Sequence, residues 1–83
     1  MAERLPWQQV RPGLYDAIGG GKQIGAYRRQ YELARYKSAD GGYRWQALVH
    51  EPGAIGWSEI ADEKTLNEAK RAAQALEDQP LTS

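Results

Sequence analysis

The chain contains no cysteine and no phenylalanine. Without cysteine it can form neither a disulfide staple nor a thiolate zinc site, a composition that suits a reducing cytoplasm. Without phenylalanine, every aromatic ring carries a polar handle, supplied by five Tyr and three Trp. Large aliphatics are also scarce. Hydrophobic residues make up 41% of the chain and many of them are Ala and Tyr, so the core must be thin and must lean on Trp and Tyr. With 83 residues the chain makes one small domain, which buries roughly 60% of its unfolded surface. Its stability is expected toward the low end of about 5–15 kcal/mol. No apolar run approaches the ~20 residues that a membrane helix requires, and no signal-peptide core follows Met1. A cytoplasmic protein with no membrane partner is expected.

Neither sign of charge is in excess: eleven basic residues balance eleven acidic ones. The charges are unevenly spread, however. Residues 1–50 carry eight basic and four acidic groups, and residues 51–83 carry three basic and seven acidic ones. A chain of this kind can present a basic face without being a basic protein.

Tyr27–His50 concentrates the rest of the signal. It holds five of the eight aromatics (Tyr27, Tyr31, Tyr36, Tyr43, Trp45) and five of the basic residues (Arg28, Arg29, Arg35, Lys37, Arg44). Tyr, Trp and Arg are the side chains that most often carry binding energy at interfaces. Asp40-Gly41 between two aromatic-rich runs is a hairpin signal. Tyr43–His50 alternates strictly and reads as a strand. A two-residue Asp40-Gly41 loop pairs Ala39 with Gly42. Tyr36 then opposes Trp45, Ala34 opposes Ala47 and Glu32 opposes Val49 on an apolar face. Lys37 opposes Arg44, Arg35 opposes Gln46, Leu33 opposes Leu48 and Tyr31 opposes His50 on the other. The candidate binding surface is therefore Tyr31, Arg35, Lys37, Arg44, Gln46 and His50, while Tyr36, Tyr43 and Trp45 pack the core.

The flanks complete a small α+β domain, with a three- or four-stranded antiparallel sheet packed on one C-terminal helix. Residues 1–12 read as a loose lead-in, 13–60 as strands, 62–78 as the helix and 79–83 as a frayed tail. Arg11-Pro12-Gly13 and Glu51-Pro52-Gly53-Ala54 are turns, and Ile55–Ile60 is a short strand with Trp57 at its middle. Asp62 is the expected N-cap. Leu66, Ala69, Ala73 and Leu76 form an apolar stripe at helical spacing, with Trp45 and Trp57 filling the space beneath. Ile24–Gln30 can be read as helix or strand.

Catalytic chemistry finds little footing. Gly19-Gly20-Gly21-Lys22 lacks the spacing and the following Ser or Thr of a phosphate loop. His50 is the single histidine, and no Ser or Thr is ordered to make a triad with it. Its neighbour Glu51 points to the opposite face of a strand, so the two cannot share a metal. Glu59, Asp62 and Glu63 read as charges at a helix start. No enzyme activity, metal, cofactor or small-molecule substrate is expected. A non-enzymatic module that binds a protein partner through its open sheet face is the leading expectation, in the manner of an accessory or inhibitory protein of a phage or mobile element. The alternative is DNA or RNA binding through the basic sheet face, since basic groups neutralise phosphate and Arg or Gln read base edges.

Two resemblances bear on this choice. Tyr43-Arg44-Trp45-Gln46-Ala47-Leu48-Val49, then Gly56-Trp57, then Glu68-Ala69 and Ala72-Ala73 resemble the three-stranded-sheet DNA-binding domain. That domain occurs at the N-terminus of some phage-type integrases and in plant GCC-box-binding factors. The resemblance implies that Arg35, Lys37, Arg44 and Gln46 enter a major groove. The chain departs from the pattern in having no basic residue in Ile55–Ile60 and no recombinase domain. Thr65-Leu66-Asn67-Glu68-Ala69, following Ala47-Leu48-Val49, resembles the helix start of HicB-type antitoxins, without the strand and partner-binding tail that the family places after the helix.

Overall fold

The computed structural model describes residues 4–19 and 28–79. Five strands and one helix follow in order among them: β1 (Gln8–Arg11), β2 (Leu14–Ile18), β3 (Gln30–Lys37), β4 (Tyr43–His50), β5 (Ser58–Glu63) and α1 (Leu66–Glu77). The strands make one antiparallel sheet in which each lies beside its sequence neighbour. The α+β class is as expected, with five strands instead of three or four. The difference lies at the front of the chain, where Gln8–Arg11, expected in the lead-in, pairs with β2. Gly13, at φ +85°, makes the turn between them. Of the Ile24–Gln30 segment, residues 24–27 lie outside the described residues, as do 20–22 of the glycine-rich stretch; Gln30 opens β3.

α1 forms where the apolar stripe requires. Ala69 and Ala73 are wholly buried, and Leu66 and Leu76 pack at the two ends of the stripe. Small residues at the centre let the helix approach the sheet closely. Its N-cap is Thr65, not Asp62: the Thr65 Oγ1 accepts the Glu68 N–H at 3.2 Å, and the Thr65 hydroxyl donates to the Glu68 carboxylate at 3.0 Å. Thr-x-x-Glu at a helix start satisfies an amide that would otherwise lack a partner. The last turn of α1 carries no basic residue of its own. Arg29, from the segment leading into β3, supplies the cation, with Nη1 donating to the carbonyls of Leu76 (2.7 Å) and Gln79 (2.8 Å). A positive charge on these carbonyls opposes the negative end of the helix dipole.

The register of the β3–β4 hairpin is one residue away from the expected one. Ser38 N–H donates to the Gly42 carbonyl at 2.8 Å, Gly41 N–H donates to the Ser38 carbonyl at 3.1 Å, and Gly41 sits at φ +92°. The loop therefore has three residues, Ala39-Asp40-Gly41, with glycine in the left-handed position that this loop class needs. The Asp40 carboxylate accepts the Gly42 N–H at 2.9 Å and the Ser38 hydroxyl, which fastens the turn. Lys37 then opposes Tyr43, Arg35 opposes Trp45, Leu33 opposes Ala47 and Tyr31 opposes Val49. The expected pairs Lys37–Arg44, Arg35–Gln46 and Tyr31–His50 do not form. Because side chains alternate along a strand, one residue of slip exchanges the faces of β3 relative to β4.

Burial explains why this register wins. It places Tyr31 and Leu33, the two largest fully buried side chains, beneath α1 with Ala47, Val49 and Ala17. The expected register would have put Glu32 in that layer, and an unpaired carboxylate is costly to bury. Of the rings expected in the core, only Trp45 packs against it, whereas Tyr36 and Tyr43 are exposed. Trp57 is also exposed; Trp7 and Tyr15 take the space beneath the helix instead. Leu5 is buried as well, its N–H held by the Gln74 side chain at 2.8 Å.

A bulge in β5 settles the last face. Ala47 opposes Ala61 while Leu48 opposes Glu59, so Ile60 is an extra residue on β5. Ile60 and Ala61 both pack on the core. Glu59 and Asp62 lie on either side of them, on the face away from the helix.

Candidate functional site

The face of the sheet away from α1 is open, and its residues stand in cross-strand rows. Tyr36 opposes Arg44. Leu14, Ala34, Gln46 and Asp62 make the next row, and Gln8, Asp16, Glu32, Leu48 and Glu59 the one after. Ile18, Gln30 and His50 make the last, with the Trp57 ring tilted against His50 at 5.6 Å between ring centroids.

The six residues expected to form one surface are divided between the two faces. Arg44, Gln46 and His50 are on the open face. Tyr31 is in the core, only 1% exposed, and its hydroxyl donates to Glu77 at 2.7 Å. Burial and that bond to a carboxylate push its phenol well above the usual tyrosine value. Arg35 and Lys37 are exposed on the helix side of the sheet, opposite Trp45 and Tyr43. The one-residue difference in register is the cause in all three cases.

Tyr36, Arg44, Gln46, His50, Glu59 and Asp62, all on the open face, are held by local partners. Asp62 binds Arg44 twice: its carboxylate accepts from Nε at 2.5 Å and its backbone carbonyl from Nη2 at 3.0 Å. The Tyr36 hydroxyl donates to the same carboxylate. The bonds from Tyr36 and Arg44 hold the Asp62 carboxyl below the usual carboxylate range. Asp62 in turn raises the Tyr36 phenol and the Arg44 guanidinium. Gln46 donates to Glu59 at 2.7 Å. The His50 Nδ1 lies 2.7 Å from the Gly56 carbonyl, which can only accept, so Nδ1 carries a proton.

The sum of charge on this face is the main departure from expectation. Across β2–β5 it presents four carboxylates (Asp16, Glu32, Glu59, Asp62) against one guanidinium, Arg44, and that guanidinium is neutralised by Asp62. Arg11, opposite Leu14 at the β1 edge, adds one cation. The open face is acidic, not basic. Between the charges lie exposed apolar groups, with Ile18 at 55% and Trp57 at 46% exposure. A groove of about 430 Å³ runs beside them, lined also by Pro6, Gln8, Asp16, Gln30 and Glu32.

Reading from the sequence missed Asp16, Ile18, Glu32 and Trp57 as surface groups. The signal available for β3 was the alternation Tyr31-Glu32-Leu33, which places the carboxylate opposite the apolar pair. No carboxylate is hydrogen-bonded to His50 among the described residues, and no three His, Asp or Glu among them are grouped to hold a metal. No helix among them is long and apolar enough to cross a membrane. The chain matches no protein-family model, no curated protein and no solved structure.

Proposed function

We propose that the protein is a small, non-enzymatic binding module of the cytoplasm, acting through its open sheet face on a protein partner in an accessory or inhibitory role. One observation carries this reading: Ile18 and Trp57 stand exposed beside a groove whose other lining includes the polar side chains of Gln8, Asp16, Gln30 and Glu32. Exposed apolar groups collected on one face mark interaction surfaces. Aromatic and aliphatic anchors ringed by polar groups are the usual anatomy of a protein interface. Farther along the same face Arg44, Gln46, Glu59 and Asp62 are already hydrogen-bonded, and prearranged polar groups lose little freedom on binding.

The size of the face sets the strength. Strands ~4.8 Å apart and up to eight residues long at ~3.3 Å per residue give a flat area on the order of 600 Å². Stable complexes bury about 800 Å² per partner, so a transient complex is expected unless the edge strands also take part. The excess of carboxylates over cations on the face opposes a nucleic-acid backbone, which favours a protein over DNA or RNA at this surface.

Affinity isolation from cells of the source tests the reading. A specific partner, fixed by chemical crosslinking before isolation, is expected with the native chain and with Arg35→Ala, and lost with Trp57→Ala and with Ile18→Asp. A partner retained by both open-face variants would contradict it.

A further inference from the structure

The cations displaced from the open face gather elsewhere. On the helix side, Lys37 opposes Tyr43 and Arg35 opposes Trp45. The Arg35 guanidinium lies over the Tyr43 ring at 4.8 Å, and the Lys70 ammonium, from α1, over the Tyr15 ring at 5.2 Å. Tyr15 and Trp45 are in contact at 5.8 Å between centroids. Lys37, Tyr43, Arg35, Trp45, Tyr15 and Lys70 thus form one continuous patch of alternating cations and rings.

Two properties distinguish this patch from ordinary surface charge. The ion pairs among the described residues are Arg29–Glu51 and Arg44–Asp62, so Arg35, Lys37 and Lys70 are uncompensated. The register brings one carboxylate to this side of the sheet, Glu63 opposite Trp45, and neither it nor the Glu68 carboxylate of α1, which accepts from the Thr65 hydroxyl, forms an ion pair with these cations. Tyr43 is also 60% exposed, the most exposed ring among the described residues. A tyrosine ring beside guanidinium and ammonium groups offers a flat surface and positive charge together.

We propose that this patch binds single-stranded nucleic acid, with Arg35, Lys37 and Lys70 on phosphates and Tyr43 stacked on a base. Charge complementarity supplies the attraction, and the rings select among anions. An acidic peptide satisfies the cations but leaves the tyrosine face unused. A duplex keeps its base faces inside the stack, whereas a single strand presents them. The inference concerns the helix side and stands apart from the protein-binding reading of the open face, so either can fail without the other.

The test is fluorescence anisotropy of the full chain with short labelled oligo-dT and oligo-U strands, a duplex of equal length and a polyglutamate peptide. With three phosphates neutralised, log K is expected to fall with log salt at a slope of about −2, or about twentyfold between 50 and 200 mM. Arg35→Ala, Lys37→Ala and Lys70→Ala should each make that slope shallower by about 0.7. Tyr43→Ala should weaken binding about tenfold at unchanged slope, and Tyr43→Phe should restore it. Arg44→Ala, on the other face, should change nothing. The proposal is overturned by absence of oligonucleotide binding at about 20 mM salt. Equal or tighter binding of the duplex or of polyglutamate, or slopes that ignore the three cation variants, would overturn it as well.

Discussion

The Tyr31 hydroxyl donates to the Glu77 carboxylate at 2.7 Å across the buried seam between β3 and the last turn of α1. Beside it, Gly19 N–H donates to the Arg29 carbonyl at 2.7 Å, and Arg29 holds the carbonyls that end the helix. One end of the molecule is therefore locked by a buried polar network, and the layer between α1 and the sheet is held by apolar packing. A carboxylate in this position must keep its donors, because losing one leaves a charge without compensation.

Tyr31→Phe removes one of those donors while conserving shape. A loss of about 1–3 kcal/mol in unfolding free energy is expected from urea titration. The alkaline limb should change as well. Folding raises the Tyr31 phenol pKa above its unfolded value near 10. The resulting stability is fully present below that pH and is lost as pH rises above it. Tyr31→Phe should therefore flatten the decline of stability above about pH 10.

Arg29→Met should cost more than an ordinary surface change, by about 2–4 kcal/mol, since it strips two helix-end carbonyls and Glu51 of a buried partner. Arg29→Lys should rescue only part of this. Its single ammonium cannot reproduce the guanidinium fork that meets Glu51 through Nε and the helix end through Nη1. Thermal and urea unfolding check both variants.

Gly41→Ala tests the hairpin. A β-carbon there meets nothing within 4 Å, but the backbone is at φ +92°. The cost is then conformational alone, about 1 kcal/mol. A loss well under a few tenths would contradict the three-residue loop that sets the register.

Asp62 should titrate below the usual carboxylate range in a carboxyl NMR experiment, because Tyr36 and Arg44 both donate to it. A depressed pKa in the folded state stabilises above the unfolded value near 4, and that contribution is lost as pH falls through the folded value. Tyr36→Phe should bring the Asp62 titration back toward the ordinary value.

Much of this fold can be read from residue order, and the division has a physical cause. Tyr43–His50 alternates so regularly that its bounds as β4 match expectation, and the Leu66, Ala69, Ala73, Leu76 stripe identifies the face α1 buries. Both signals are periodic and local. The candidate surface depended instead on whether Ser38–Gly42 closes with two loop residues or three. Asp-Gly suits both, and the choice moves Tyr31, Arg35 and Lys37 to the other face. The bulge at Ile60 brings Asp62 to Arg44 and cancels its charge, and nothing in the spacing of β5 announces a bulge. Arg29 was one of several arginines in a basic run until packing buried it against the helix end.

The most direct test of the central proposal is site-specific photo-crosslinking in cells of the source. A photoreactive residue replaces Ile18 on the open face or, as the control, Asn67 on the solvent side of α1. The expected result is one defined protein adduct from position 18 and none from position 67. An adduct at position 67 with none at position 18 would contradict the assignment of the open face.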